Sequence, residues 1–385
     1  MPTRGVAQFV VKITKFCNLR CSYCYEYADL GIKERMPLDR IARIFENIAS
    51  QSATCGFEAV NFVWHGGEPF LIPLEYYRDI NELQCEIFAG KIPVWNVVQT
   101  NLTVLTERHL DFLQSLQFFT GLGISFDVYG DQRVDQRGRL RTEIILGNLE
   151  KLIERQIEFG AIAVLARNTF AHAVRIYQFY NQLGIACRFL PFYLNAFDKQ
   201  IAAHSIGAGE LIAAFNSLFD AWLGSKRPTA IEPIDEYLDF AIAYLAGRRD
   251  HHYEKRTQER VFVVNLDGGV WGQGDAYLNA LKYGDVSRED LQTILASPGR
   301  SLTIALSQRR MAEHCEKCVY FGACPGFFVA DASPQQETLL AQSGCPVKQV
   351  IDHIVDALKR THLDDVVMTH SLRRKSQSSA LNVKL

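Results

Sequence analysis

The sequence predicts an α/β protein built on a largely parallel sheet, and three observations carry that prediction. From residue 7 to about 195, short apolar runs alternate with amphipathic stretches. The chain is 385 residues long and 48% apolar, enough for one large core or a large core with a smaller companion. Its segments richest in cysteine, glycine and amide side chains each follow a predicted strand, where ligands sit on parallel sheets.

The first strand is "AQFVVKIT" (7–14), whose polar and apolar residues largely alternate. "PLDRIARIFENIAS" (37–50) repeats apolar residues at helical spacing behind Pro37, which suits a first turn. "AVNFVWH" (59–65), rich in branched and aromatic residues, reads as the second strand. "PLEYYRDINELQCEIFAG" (73–90) is the next helix, followed by strand "IPVWNVVQT" (92–100) and helix "TERHLDFLQSLQ" (106–117). Strands "GLGISFD" (121–127), "FGAIAVLA" (159–166) and "IACRFLPFY" (185–193) are separated by helices "RTEIILGNLEKLIERQ" (141–156) and "AHAVRIYQFYNQLG" (171–184). Six strands separated by five helices imply right-handed crossovers, in either an open doubly wound sheet or a partial barrel. "GELIAAFNSLFDAWLG" (209–224) and "IDEYLDFAIAYLAG" (234–247) read as helices, and "RRDHHYEKR" (248–256) as a charged connector. "RVFVVNLDGGVWGQ" (260–273) reads as a hairpin turning at Asp267, Gly268 and Gly269. A cysteine-bearing loop region and a helix near 346–360 follow, and the polar end from 363 is expected to be mobile.

Charge is nearly balanced, with 41 Lys and Arg against 43 Asp and Glu, so nothing favours nucleic acid as a partner. The N-terminus lacks a secretory pattern, and no apolar run approaches the ~20 residues of a membrane span. The expected location is the cytoplasm, with no membrane partner. There, clustered cysteines bind metal or do redox chemistry. Seven of the ten cysteines form two groups, Cys17, Cys21, Cys24 and Cys315, Cys318, Cys324, Cys345. Cys55, Cys85 and Cys187 stand apart and read as small core residues.

Cys17, Cys21 and Cys24 leave a tetrahedral site one thiolate short. Three thiolates can hold three irons of a cubane and leave the fourth open to a ligand; a zinc ion with three cysteines and a water is the alternative. Gly66 and Gly67 would let the backbone approach a ligand, with Pro69 fixing the turn and Glu68 offering a carboxylate. Gln99, Thr100 and Asn101 end an apolar strand with three polar side chains, which suits a rim better than a core. Ser125 and Asp127 share one face of the following strand, and Arg133, Arg137, Arg139 and Arg141 come after it.

Taken in order, these segments resemble those of the radical S-adenosylmethionine (radical SAM) enzymes. "CNLRCSYCY" resembles the family's cluster motif, and "WHGGEPFL" its glycine-rich stretch, which meets the amino group of the cofactor's methionine part. "QTNLTVL" resembles a segment on the next strand end, and "GISFDVYGDQRVDQRGR" one associated with the cofactor's ribose and carboxylate. The resemblance covers about residues 8–195 and implies a partial (β/α)6 TIM-like barrel. It implies a [4Fe–4S] cluster with an open iron on Cys17, Cys21 and Cys24. S-adenosylmethionine would be held by Tyr25, Gly66, Gly67, Glu68, Gln99, Thr100, Asn101, Ser125 and Asp127, with Arg137 pairing its carboxylate. The implied chemistry is reductive cleavage of that cofactor to a 5′-deoxyadenosyl radical, with an electron donor of flavodoxin or ferredoxin type.

The second group, Cys315, Cys318 and Cys324 with the later Cys345, supplies four thiolates and closes a site; from spacing alone a zinc ion would fit it. The region resembles the SPASM extension of radical SAM peptide-modifying enzymes, including the anaerobic sulfatase maturases. The fold expected is thus α/β, a partial barrel with a C-terminal SPASM-like iron–sulfur extension. The resemblance implies an auxiliary [4Fe–4S] cluster on these four cysteines, electron-accepting or structural. Full SPASM domains hold another cluster, but Gln273 and Phe328 stand where two of its cysteines are expected, so one auxiliary cluster is expected here. Asp275 lies one residue from the position of the sulfatase maturases' base and is the candidate base. The expected divisions are a core at 1–208, a helical connector at 209–260, the extension at 261–362 and a tail at 363–385.

The resemblance implies a ribosomal-peptide (RiPP) maturase that installs a side-chain crosslink, a cyclophane-type C–C bond. Backbone excision of the splicease type and formylglycine formation are alternatives; a non-catalytic zinc-bound peptide scaffold is one of a different class. The first strand begins near residue 7, which leaves no room for a fused N-terminal recognition domain. Leader binding is then expected on the extension's surface, on an open sheet edge, or on a separate partner protein.

Overall fold

A computed structural model of the chain describes residues 5–115, 117–191, 201–273 and 277–360. Strands β1 (Val6–Thr14), β2 (Ala59–Gly66), β3 (Val94–Thr100), β4 (Gly121–Ser125), β5 (Gly160–Leu165) and β6 (Cys187–Pro191) pair in parallel, in sequence order. Helices α1 (Leu38–Gln51), α2 (Leu74–Phe88), α3 (Glu107–Gln114), α4 (Thr142–Glu154) and α5 (Ala173–Gln182) make the crossovers. All eleven elements agree with the alternation read from the sequence.

The two-residue period of β1 decides which side chains meet the helices. Ala7, Phe9, Val11 and Ile13 are buried in one core with Ile41, Phe45 and Phe62. The rings of Phe45 and Phe62 stand 4.9 Å apart. Gln8, Val10 and Lys12 therefore face the opposite, concave side, and the β1–β2 register sets Lys12 beside His65.

The sheet continues beyond these six strands at both ends. β7 (Ile231–Glu232) pairs in parallel with β6. At the other end β8 (Val261–Val264) pairs in parallel with β1, from Gln8 opposite Val261 to Val11 opposite Val264. β9 (Gly269–Gly272) returns antiparallel to β8, and β10 (Gly284–Asp285) adds to it. Gly268, at φ 94°, supplies the left-handed residue of the expected turn. Among the described residues ten strands form one sheet, in the order β10-β9-β8-β1-β2-β3-β4-β5-β6-β7. The hairpin that follows residue 260 thus adds to the same sheet as the six parallel strands.

Helices Ala208–Leu223, Ile234–Leu245 and Pro346–Arg360 pack together, with Phe219, Trp222, Leu238 and Ile351 in the main core. The tail at 363–385 lies outside the described residues. Among the described residues no helix is long and apolar enough to cross a membrane.

Candidate active site

β1 ends at Thr14 and the chain turns at once into the loop of three cysteines. Backbone bonds fix that loop: Cys17 N to Leu30 O at 3.1 Å, Arg20 N to Val134 O at 2.7 Å and Cys24 N to Cys21 O at 3.0 Å. The Arg20 guanidinium adds two more, from Nη1 to Cys17 O and to Leu19 O, both at 2.7 Å. Cys17 and Cys21 are each 7% exposed, packed with Leu19, Tyr23, Leu30 and Ala166, and Cys24 lies against the same group. Each sulfur has an N–H donor. Leu19 N lies at 3.4 Å and Asn101 Nδ2 at 3.5 Å from Cys17 Sγ, Arg133 Nη1 at 3.7 Å from Cys21 Sγ, and the Glu26 N–H serves Cys24.

Burial pushes the Cys17 and Cys24 thiols up to about 12, and it moves Cys21 the same way. Cys21 and Cys24 add to the rise at Cys17, and Cys21 to that at Cys24, so the thiols lie within electrostatic reach of one another. Buried thiolates of this kind need a cation, which the irons of a cluster supply; the donor set fits that group. Among the described residues no three His, Cys, Asp or Glu side chains gather closely enough to hold a single ion. Thiolates bound to separate irons of a cubane stand farther apart than the ligands of one ion.

The glycine pair packs against the cysteine loop. A Cβ on Gly66 (φ 137°) would lie 1.9 Å from Thr14 O, and one on Gly67 2.1 Å from Phe16 O. The glycines allow close approach of the cluster loop's own backbone. Gly67 N and Glu68 N bond Thr14 O and Phe16 O, both at 2.8 Å. Glu68 is fully buried. Its Oε1 accepts from Phe70 N at 2.9 Å and Thr100 Oγ1 at 2.7 Å, and its Oε2 from Asn101 N at 2.7 Å. Burial pushes its carboxyl up to about 7 against the pull of those donors. Asn101 also donates to Asn18 Oδ1 at 3.1 Å. Glu68, Thr100 and Asn101 therefore brace the cysteine loop from behind.

The concave face holds other polar groups. Gln99 Nε2 donates to Ser125 Oγ at 2.7 Å, while Gln99 Oε1 is buried without a partner among the described residues, an acceptor suited to a ligand N–H. Lys12 is 3% exposed. Its Nζ donates to Tyr25 Oη and lies 3.2 Å from His65 Nδ1. No carboxylate among the described residues pairs with it, and burial lowers its pKa to about 8. His65 Nδ1 also accepts from Gly66 N at 2.7 Å, which places the ring proton on Nε2. The Tyr25 ring is 41% exposed at the rim. Lys12 and His65 escaped the sequence reading; the available signal was a lysine and a histidine at inner positions of two adjacent apolar strands.

Arg137 lies apart from the cysteine sulfurs in the hydrogen bonds of this site. It is exposed, with its backbone N bonded to Asp135 Oδ1 at 2.8 Å. Arg133, its neighbour in the sequence reading, enters the site instead, at 3.1 Å from Asp127 Oδ2. Asp127 is 1% exposed and also accepts from Val164 N at 2.7 Å and from Tyr23 Oη. Positive φ angles at Val128 (60°), Gly130 (92°) and Asp131 (54°) coil the loop and turn Arg133 inward. Arg139 and Arg141 pair with Asp135 away from the sulfurs. Asp275 lies outside the described residues.

In the second group, Cys315 caps helix Pro298–His314 and Cys345 directly precedes helix Pro346–Arg360. Cys318 N bonds Cys315 O at 2.8 Å and Cys324 N bonds Tyr320 O at 2.7 Å. Burial pushes Cys315 and Cys324 up to about 12, and the neighbouring thiols add to the shift. Burial raises Cys345 too, while the N–H groups of Lys348 and Val347 at the helix start oppose it. Gln273 is exposed and Phe328 half-buried.

Known proteins share this outline. Residues 11–180 match the Radical SAM superfamily. The cysteine-type anaerobic sulfatase-maturating enzyme of Clostridium perfringens is 25% identical over 323 residues, covering 80% of this chain and 85% of that one. The structure of native anSMEcpe with bound AdoMet and Cp18Cys peptide matches with a TM-score of 0.72 at 18% identity, over 95% of this chain and 99% of that one. Streptococcus suis SuiB bound to precursor peptide SuiA matches with a TM-score of 0.56 at 14% identity, over 89% and 74%.

Proposed function

We propose, from the premise that this chain is a radical SAM enzyme related to the anaerobic sulfatase-maturating enzymes, that it acts on a ribosomally made peptide and joins two of its side chains, through a carbon–carbon bond of the cyclophane type. The enzyme uses S-adenosylmethionine and a [4Fe–4S] cluster, as its superfamily does. The observation that carries the reading is the incomplete set of buried thiols at the end of β1, braced by Glu68, Thr100 and Asn101.

When bound, the cluster and cofactor together supply a 5′-deoxyadenosyl radical that removes a hydrogen atom from an unactivated carbon. The rest falls to the chain's own side chains. Cys17, Cys21 and Cys24 would hold the irons, and Gln99, Ser125 and Arg133 would orient the cofactor. Lys12 Nζ and His65, paired at 3.2 Å, would hold a proton that leaves the substrate. Cys315, Cys318, Cys324 and Cys345 would hold one auxiliary cluster, closed by four thiolates. The exposed Gln273 supports a single such cluster.

A peptide substrate is supported by the related folds that carry bound peptides, Cp18Cys on anSMEcpe and SuiA on SuiB. Formylglycine formation stands as the second reading, favoured by the length over which the chain follows the sulfatase maturase. Anaerobically reconstituted protein, incubated with reductant, S-adenosylmethionine and a peptide encoded beside its gene, tests both. The expected product has lost two hydrogens, yields linked fragments in tandem mass spectrometry and does not react with hydroxylamine. A hydroxylamine-reactive aldehyde at a single cysteine or serine establishes formylglycine instead, and loss of a residue-sized fragment establishes excision. Zinc without iron, and no 5′-deoxyadenosine, would overturn the enzyme reading altogether.

A further inference from the structure

The donors around the first three thiols are not equivalent. Cys17 Sγ faces Leu19 N and Asn101 Nδ2, at 3.4 and 3.5 Å, and Cys24 faces the N–H of Glu26. These hydrogen-bond donors are neutral, although the Lys12 ammonium lies within electrostatic reach of Cys24. Cys21 Sγ instead accepts from a charged donor, the Arg133 guanidinium, with Nη1 at 3.7 Å. Arg133 is 6% exposed, so water screens that charge little. Asp127, at 3.1 Å, and the Tyr23 ring, centred 5.6 Å from the guanidinium carbon, fix its place. Asp127 is itself shared with Tyr23 Oη and Val164 N. The second cysteine group has no matching arrangement among the described residues. Backbone N–H groups of Gly326, Val347 and Lys348 serve it, and the Lys348 ammonium is 42% exposed and paired with Asp352 at 2.7 Å.

We infer that Arg133 sets the reduction potential of the cluster on Cys17, Cys21 and Cys24. This rests on the reading of that loop as an iron–sulfur site. Reduction adds one electron from a donor, flavin or iron–sulfur in class, and breaks no bond. The reduced cluster carries one more negative charge, which a buried guanidinium donating to a ligand sulfur favours. Arg133 is thus a positioning residue for the electron, acting through Cys21.

The test is a dithionite titration followed by electron paramagnetic resonance on the full, reconstituted chain. The signal that S-adenosylmethionine perturbs reports the first cluster, and the other signal is an internal reference. Arg133→Gln, which keeps an N–H without charge, and Arg133→Met should each shift the first potential negative. The expected shift is roughly tenfold in the reduction equilibrium, about 59 mV for one electron. Arg133→Lys should keep most of the wild-type value. Asp127→Asn, which strips the counter-charge, should shift it positive. The reference signal should not move. An unchanged potential in Gln and Met at full iron content overturns the inference, as does a Lys variant that shifts as far as Met. Loss of iron from all three Arg133 variants also overturns it, leaving a packing role. If wild-type protein shows no S-adenosylmethionine-responsive signal, the radical SAM reading itself fails, which is seen without any variant.

Discussion

At the scale of single residues, the site is a set of buried polar groups whose partners explain their presence. Glu68 is the clearest case: fully buried, it binds the ends of β2 and β3 through three donors. Its carboxyl rises from 4.5 to about 7 on folding. The folded state then holds a proton that the unfolded state releases, so stability is full below about 4.5 and falls until about 7. The loss is on the order of 3 kcal/mol. Glu68→Gln cannot titrate. Urea denaturation of both proteins from about pH 5 to pH 8 should therefore show the wild type losing ground to the variant as pH rises. A constant gap across that window would show that Glu68 keeps one protonation state. Lys12 presents the complementary situation, a buried ammonium whose hydrogen-bond partners among the described residues are Tyr25 and His65. Such a group weakens the fold unless a ligand or a proton transfer uses it.

At the scale of elements, the glycine-rich turn after β2 and the cysteine loop after β1 behave as one unit. At Gly67 a Cβ would meet Phe16 O at 2.1 Å and Lys15 O at 2.4 Å, both backbone atoms that no rotamer change can move. Gly67→Ala should therefore displace the loop and lose the first cluster's iron, at a stability cost of about 3 kcal/mol or more. Gly31→Ala, where an added Cβ meets nothing within 4 Å, is the control and should keep its iron. Equal iron in the two variants would mean that the turn does not set the loop. This coupling explains what the sequence could convey. The βα alternation was legible because each strand and helix carries its own period, and the cysteines because their chemistry is local. Which of Arg133, Arg137, Arg139 and Arg141 meets a cysteine sulfur was not legible, because three positive φ angles coil this loop and bring Arg133 to Cys21. β7 was missed because it spans only Ile231–Glu232 and stops at Pro233. The hairpin was read correctly, but nothing local in β8 announces β1 as its partner.

At the scale of the whole molecule, the pairing of β8 with β1 makes the barrel and the second cysteine region one structure. A buried ionic network reinforces the join. Lys255 is 2% exposed and bridges Glu259 at 2.9 Å and Asp331 at 2.8 Å. Glu259 is shared with Arg300 at 2.9 Å and with Tyr283 Oη at 2.7 Å, and Asp331 with Tyr253 Oη at 3.1 Å. Glu259 stands two residues before β8, so the network ties the C-terminal helices to the strand that borders β1. In Lys255→Met, two buried carboxylates would be left to one guanidinium. The cost should be about 3–5 kcal/mol, because the orphaned charges stay in a place water cannot reach. If the sheet couples the two regions, that loss shifts one common transition. Iron from the Cys17 loop and from the Cys315 region should then be released at the same, lower denaturant concentration. Release of the second region's iron alone, with the first site's signal intact, would show that β8 and the network hold the C-terminal part to a barrel that stands without it.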